Sequence, residues 1–267
     1  MQSERSQQNR RGATTSVDQP LQPGTLYVVA LPIGHPGDIT ARAIQTLKQV
    51  DIIAAEDPAA LQPLLFSHQI DTTVTSYGPR NLEEKVTVLL QQLRQGKDVA
   101  LVSDCGSPII ADPGHLFVDA AHAQEVRVVP IPGPSALIAA VTASGLAGDS
   151  FAFLGQLPTA QSSIRRCVAA CVKSPVPTVA FCTYQSATNA LRILAETTPQ
   201  RLVVLACDLS TVNEQIIRGT PRALQQKLRE GQGQAITLVL AGTARGASNA
   251  PTRRRVQSQS SRRIKTR

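Results

Sequence analysis

Gly24-Thr25-Leu26-Tyr27-Val28-Val29-Ala30-Leu31-Pro32-Ile33-Gly34-His35-Pro36-Gly37-Asp38 is the stretch whose reading decides the fold. Residues 25–31 form an apolar run too short for a helix, so they predict a buried strand, and the Pro/Gly-rich turn after them ends it. Asp38 is placed to cap a helix whose apolar positions Ile39, Ala43, Ile44, Leu47 and Val50 recur at helical spacing. A second apolar run at 51–55 completes a strand–helix–strand unit.

The same alternation continues outward. Asn81 with Glu84 resembles a capping box, Val86, Leu89, Leu90 and Leu93 share one face, and Gly96 supplies a stop before a strand at 99–103. A helix at 115–124, a strand at 126–131 and a helix at 134–144, begun by Pro134 in its first turn, follow. Beyond a junction at 145–149 a second series begins. It has strands at 151–154, 178–182, 201–206, 215–219 and 235–241, and helices near 162–172, 187–196 and 221–229. The last of these starts with Thr220 as cap and Pro221 at the first helical position. The pattern predicts an α/β protein of parallel strands and crossover helices, divided into α/β domains at 23–147 and 148–242.

Residues 1–22 and 243–267 lack the apolar content to order themselves and are expected to be disordered tails. Of the 27 lysines and arginines, eight lie in 244–267 without an acid and three in 1–22 beside two acids, which leaves 16 bases against 17 acids in the body. The body is nearly neutral, and the C-terminal tail is a basic strip that either attracts polyanions or merely aids solubility. No apolar run is long enough to span a membrane and the N-terminus has no apolar signal core, so the expected address is the cytoplasm. Cys105, Cys167, Cys171, Cys182 and Cys207 form no CxxC pair, which argues against zinc and disulfides and for reduced, mostly buried thiols.

In open parallel sheets ligands bind at the carboxyl ends of strands, so the loops there are where chemistry is sought. The 32–38 loop has neither GxGxxG nor GxxxxGK[ST] and so lacks an amide cradle for a pyrophosphate. The loop Ser103-Asp104-Cys105-Gly106-Ser107-Pro108-Ile109-Ile110-Ala111-Asp112-Pro113-Gly114 has small side chains and acidic groups, a setting for close backbone approach to a cation such as a sulfonium. Pro130-Ile131-Pro132-Gly133-Pro134-Ser135 runs a strand end into a helix start, with free amides and a hydroxyl for polar ligand atoms. Glu56 and Asp57, at the end of a strand, are either a general base for proton removal or caps of the helix begun by Pro58. His35 is a further candidate for the base.

Taken in order, Gly24–Val29, Pro32-Ile33-Gly34, Asp38-Ile39-Thr40, Ala54-Ala55-Glu56-Asp57, the 103–114 loop, residues 130–137 and Ile217-Arg218-Gly219-Thr220 resemble the tetrapyrrole methylase superfamily. Within it, they are most similar to the ribosomal RNA small subunit methyltransferase I branch. The resemblance spans roughly residues 24–242 and implies two α/β domains, commonly dimeric, with S-adenosylmethionine in a cleft between them. It further implies 2′-O-methylation of a cytidine ribose in small-subunit ribosomal RNA. Carried onto this chain, cofactor contacts fall on Pro32, Asp104, Gly106, Ser107, Ile110, Ser135 and Ala136, with Thr183, beside Cys182, and Ala206 from the second domain; no metal is implied.

The departures run in one direction. Pro58 and Ala59 replace Thr-Arg after Asp57, and His35 replaces Asn. Residues 182–187 and 206–214 have lost the family's arginine, lysine and histidine, and the basic tail replaces its usual C-terminal extension. Loss of bidentate phosphate donors implies a weaker grip on RNA by the body, with the cofactor loop kept. Two other functions are therefore open: a catalytically weakened cofactor-binding module docked on RNA by its tail, and a methyltransferase acting on a small molecule such as a tetrapyrrole.

Overall fold

The computed structural model describes residues 22–77, 82–112, 114–146, 148–228 and 235–243. The chain forms two compact units. The first runs to Leu31 and resumes over Ile39–Gly133, while Pro32–Asp38 and the chain from Pro134 onward belong to the second.

In the first unit, β1 (Thr25–Val29), α1 (Ala41–Gln49), β2 (Ile52–Ala55), α2 (Pro58–Ser67), β3 (Thr73–Ser76), α3 (Leu82–Arg94), β4 (Val99–Val102), α4 (His115–Ala123) and β5 (Arg127–Ile131) alternate. The sheet order is β3-β2-β4-β1-β5, with every pairing parallel. Central β4 is buried at every position because both faces of the sheet are covered. Ala100 and Val102 pack with Leu47, Leu61 and Leu65 from α1 and α2, whereas Val99 and Leu101 pack with Leu89, Leu93 and Phe117 from α3 and α4. Parallel β4 and β2 bring the loops after them side by side at one edge.

The second unit contains α5 (Ala136–Ser144), β6 (Ala152–Gln156), α6 (Gln161–Cys171), β7 (Thr178–Cys182), α7 (Tyr184–Thr197), β8 (Val203–Cys207), β9 (Gln215–Gly219), α8 (Pro221–Lys227) and β10 (Ile236–Leu240). Its sheet order is β6-β7-β10-β8-β9. Only β6 and β7 are parallel; β10 runs antiparallel to β7 and β8, and β8 antiparallel to β9. The expectation of parallel strands throughout is corrected here. The β8–β9 connection at 208–214 holds no crossover helix, and such a short link returns the chain antiparallel.

Other expectations shift locally. Thr40, not Asp38, caps α1: its hydroxyl accepts from the Ala43 N–H at 3.2 Å, while Asp38 closes a short 3-10 turn. Pro134 precedes α5 rather than opening it, since Ser135 is the cap and accepts from the Ile138 N–H. Thr220 precedes Pro221 as expected but makes no side-chain capping bond. The short strand β3 was not foreseen, because Thr73-Val74-Thr75-Ser76 carries little apolar signal. The expected boundary near 147 follows α5, yet α5 packs through Ala140 against Val204, Ala206 and Val239 of the second sheet. Asn81 and the tails lie outside the described residues.

Candidate functional site

In the first unit, the carboxyl ends of β2, β3 and β4 converge on a set of acids. Glu56 and Asp57 follow β2, Tyr77 follows β3, and Asp104 and Asp112 flank the loop after β4. Tyr77 is tied in through its N–H, which donates to Ala55 O at 3.0 Å, and its ring is fully buried among Leu89, Leu93 and Leu101. Its hydroxyl donates to Asp112 Oδ1 at 2.9 Å, and the Gly114 N–H donates to the same oxygen at 3.2 Å. The Asp57 N–H donates to Asp104 Oδ1 at 3.1 Å, which ties the β2 loop to the β4 loop.

The two neighbouring carboxylates after β2 have different surroundings. Asp57 Oδ1 accepts from Ala59 N–H at 2.9 Å and Ala60 N–H at 3.4 Å, so Asp57 is the N-cap of α2. Glu56 is half-buried and close enough to Asp112, Asp104 and Asp57 to feel their charges. Burial raises the Glu56 carboxyl above the ordinary glutamate range, and the charges of Asp112, Asp104 and Asp57 push it the same way. Burial also raises the Tyr77 hydroxyl, with Asp112 adding to the effect, so Tyr77 stays a donor. Cys105 is exposed, yet desolvation of its thiol within the loop, and then the charge of Asp104, raise it and keep it protonated.

The loop between Asp104 and Asp112 is held open by its backbone. Leu31 and Gly106 exchange N–H bonds at 2.8 and 3.1 Å, and the Ser103 hydroxyl donates to the Cys105 and Gly106 carbonyls. Gly106, Ile109 and Ala111 have φ values of 72°, 91° and 63°, a conformation that L side chains resist. Ser107 is half-buried and Ile110 is 44% exposed, so both are accessible to a ligand. Residues 103–112 contain no basic side chain, and this donor set of carboxylates, carbonyls and a hydroxyl fits a cation.

The second unit gathers the remaining expected residues. Ile33, Ala136, Leu137, Ala206 and Leu209 share one apolar cluster, so the 32–38 loop, the start of α5 and the end of β8 meet. Gly34 lies directly on this wall: a Cβ there would sit 2.5 Å from Leu209 O and 2.9 Å from Thr211 Cγ2. Ser135 and Thr183 are both helix caps, and Thr183 forms a capping box with Ser186. Ala206 is fully buried in β8 and can only shape the wall. The His35 Nδ1 accepts from the Gly37 N–H at 3.1 Å and belongs to the exposed turn.

Tyr77 and Asp112 were not among the candidates read from the sequence. Asp112 shared the acidic loop with Asp104, but nothing in the order of residues showed that it would come near Glu56. Tyr77 follows a weakly apolar strand and carried no signal. Among the described residues, no group of three or more His, Cys, Asp or Glu is arranged to hold a metal, and no helix is long and apolar enough to cross a membrane.

Solved structures with this architecture define the class. Uroporphyrin-III-C-methyltransferase from Thermus thermophilus superposes with a TM-score of 0.60 at 19% identity, covering 83% of this chain and 96% of that one. A cobalamin biosynthetic enzyme, cobalt precorrin-4 methyltransferase, superposes at 0.62 and 18% identity, covering 81% and 94%. The fold is thus that of the paired α/β methyltransferases. Residues 25–225 match the tetrapyrrole (corrin/porphyrin) methylases, and the chain belongs to that family of methyltransferases. Among its relatives, ribosomal RNA small subunit methyltransferase I of Micromonospora olivasterospora is 39% identical over 223 residues, or 82% of this chain and 71% of the relative. The protein of the same name from Thermotoga maritima is 35% identical over 220 residues, covering 82% of this chain and 99% of its own length.

Proposed function

We propose that this methyltransferase uses S-adenosylmethionine to methylate the ribose 2′-hydroxyl of a cytidine in small-subunit ribosomal RNA. The observation that carries the reading is the match to relatives named for the small ribosomal subunit, one of which is covered over 99% of its length. The acid-lined loop after β4 supports the choice of donor, because it suits a sulfonium and contains no phosphate cradle. The residues assigned to it are Pro32, Asp104, Gly106, Ser107, Ile110, Ser135, Ala136, Thr183 and the buried Ala206. Held by these residues, the donor would supply an activated methyl group.

The chain's own task is to align the acceptor and remove one proton. Glu56 is assigned as the base. Its raised carboxyl pKa makes the ionised form a stronger base than an ordinary glutamate, whereas Asp57 is engaged as a helix cap. The family resemblance supports a cytoplasmic homodimer.

The test is transfer of labelled methyl from S-adenosylmethionine to small ribosomal subunits lacking the modification, followed by mapping of the modified nucleotide. Label on a cytidine ribose supports the assignment. Donor binding with no label in any ribosomal RNA rejects it.

A further inference from the structure

We propose that Tyr77 and Asp112 are positioning residues for the methyl donor: the buried Tyr77 hydroxyl pins Asp112 and so holds the strained backbone of residues 107–111 in its donor-binding form. This inference rests on the methyl-transfer reading above, in which Ser107 and Ile110 are assigned to the donor, and adds two residues to it.

The loop after β4 is anchored at two points. Near its start, Leu31 and Gly106 exchange N–H bonds at 2.8 and 3.1 Å. Near its end, Asp112 Oδ1 accepts from the Tyr77 hydroxyl at 2.9 Å and from the Gly114 N–H at 3.2 Å. The Gly114 bond spans two residues and makes a local turn, whereas Tyr77 lies 35 positions away, after a different strand. The Tyr77 ring is fully buried among Leu89, Leu93 and Leu101, so its hydroxyl is a fixed point to which the loop is tied. Space there is tight: a Cβ on Gly114 would lie 3.2 Å from Leu101 Cδ2 and 3.5 Å from the Tyr77 hydroxyl.

Between the anchors the backbone is strained. Ile109 at φ 91° and Ala111 at φ 63° occupy a region that residues with a Cβ avoid, and a β-branched side chain there is an outlier. Such conformations persist only where the surroundings impose them. Backbone bonds inside the stretch are long, with Ile110 N–H 3.3 Å from Ser107 O and Asp112 N–H 3.5 Å from Ile109 O, and Ile110 is too exposed to add core packing. The anchors therefore impose the shape. Loss of the Tyr77 bond frees the Asp112 end, lets Ile109 and Ala111 relax toward negative φ, and displaces Ser107 and Ile110.

The deciding variant is Tyr77→Phe, which keeps the ring in the core and every charge in place. Calorimetry on the full chain should show S-adenosylmethionine and S-adenosylhomocysteine bound about 10-fold more weakly, both by the same factor, because the shape of the loop and not its charge has changed. KM for the donor should rise accordingly, while KM for RNA and kcat at saturating donor stay at the parent values, a split that a general loss of stability does not produce. In the unliganded variant, amide exchange should quicken at residues 107–112 and not in β2 or β4. Asp112→Ala should weaken donor binding in the same sense, and the double variant should lose no more than the larger single loss, since both changes break one clamp. Parent affinity in Tyr77→Phe, or losses that add in the double variant, overturns the proposal. If the parent chain binds neither compound, the donor reading fails by itself, and unchanged amide exchange at 107–112 in Tyr77→Phe still overturns the clamp.

Discussion

At Asp57, the carboxylate holds the first turn of α2 through Ala59 and Ala60, so its removal is felt as lost stability. Asp57→Ala should cost about 1 kcal/mol in urea unfolding, whereas Asp57→Asn, an equally good cap, should fold and methylate nearly as the parent does. A collapse of activity in Asp57→Asn would show that the carboxylate is chemical rather than structural. Glu56 should behave in the opposite way. Its folded-state pKa lies above the unfolded one, so its contribution to stability is present at low pH and lost as pH rises through the folded value. Glu56→Gln removes that penalty. The variant should be more stable than the parent at alkaline pH, with the gap closing in acid, while kcat drops by about 100-fold or more. Paired denaturation curves at several pH values check the sign. The sequence placed both acids at a strand end but could not separate their roles, because the difference lies in what faces them: amides for Asp57, and the carboxylate of Asp112 for Glu56.

The elements were legible where apolar periodicity was strong and became blurred where caps or loops decided the outcome. The apolar run of β4 and the face of α3 read directly, since burial on two sides and on one stripe leave different patterns. The first turns did not: Thr40, Ser135 and Thr183 take the caps, displacing the expected helix starts by a few residues. Antiparallel β8–β9 pairing was hidden for a related reason, because strand direction depends on the length of the connection and not on strand composition. The 32–38 loop shows how far a distant contact escapes sequence reading. It follows β1 of the first unit, yet Gly34 rests on Leu209–Thr211 of the second. Gly34→Ala would drive a methyl group into Leu209 O and Thr211 Cγ2, and relief requires the loop to lift. A loss of about 1–3 kcal/mol in stability is expected. Calorimetric titration with S-adenosylmethionine should show weakened binding as well; unaltered stability and affinity would show that this wall yields freely.

At the scale of the whole molecule, charge is separated from fold. The body between residues 23 and 243 holds 16 bases and 17 acids, while residues 244–267 carry eight bases and no acid. An enzyme whose acceptor is a polyanion gains little long-range attraction from a neutral body, and the acids around Glu56 repel phosphate. The basic segment is therefore expected to supply most of the salt-dependent affinity, while the loops around Asp104 and Glu56 supply selectivity and rate. Removing 244–267 should leave the unfolding midpoint unchanged and weaken RNA binding. Each phosphate released from single-stranded RNA contributes about 0.7 to the slope of log affinity against log salt, so engagement of half the eight bases predicts a slope smaller by about 3. Under saturating RNA, kcat should stay at the parent value, because the tail contributes to encounter and not to proton removal. Binding measured across a salt series with and without the tail checks this division, and an unchanged slope would return the affinity to the folded body.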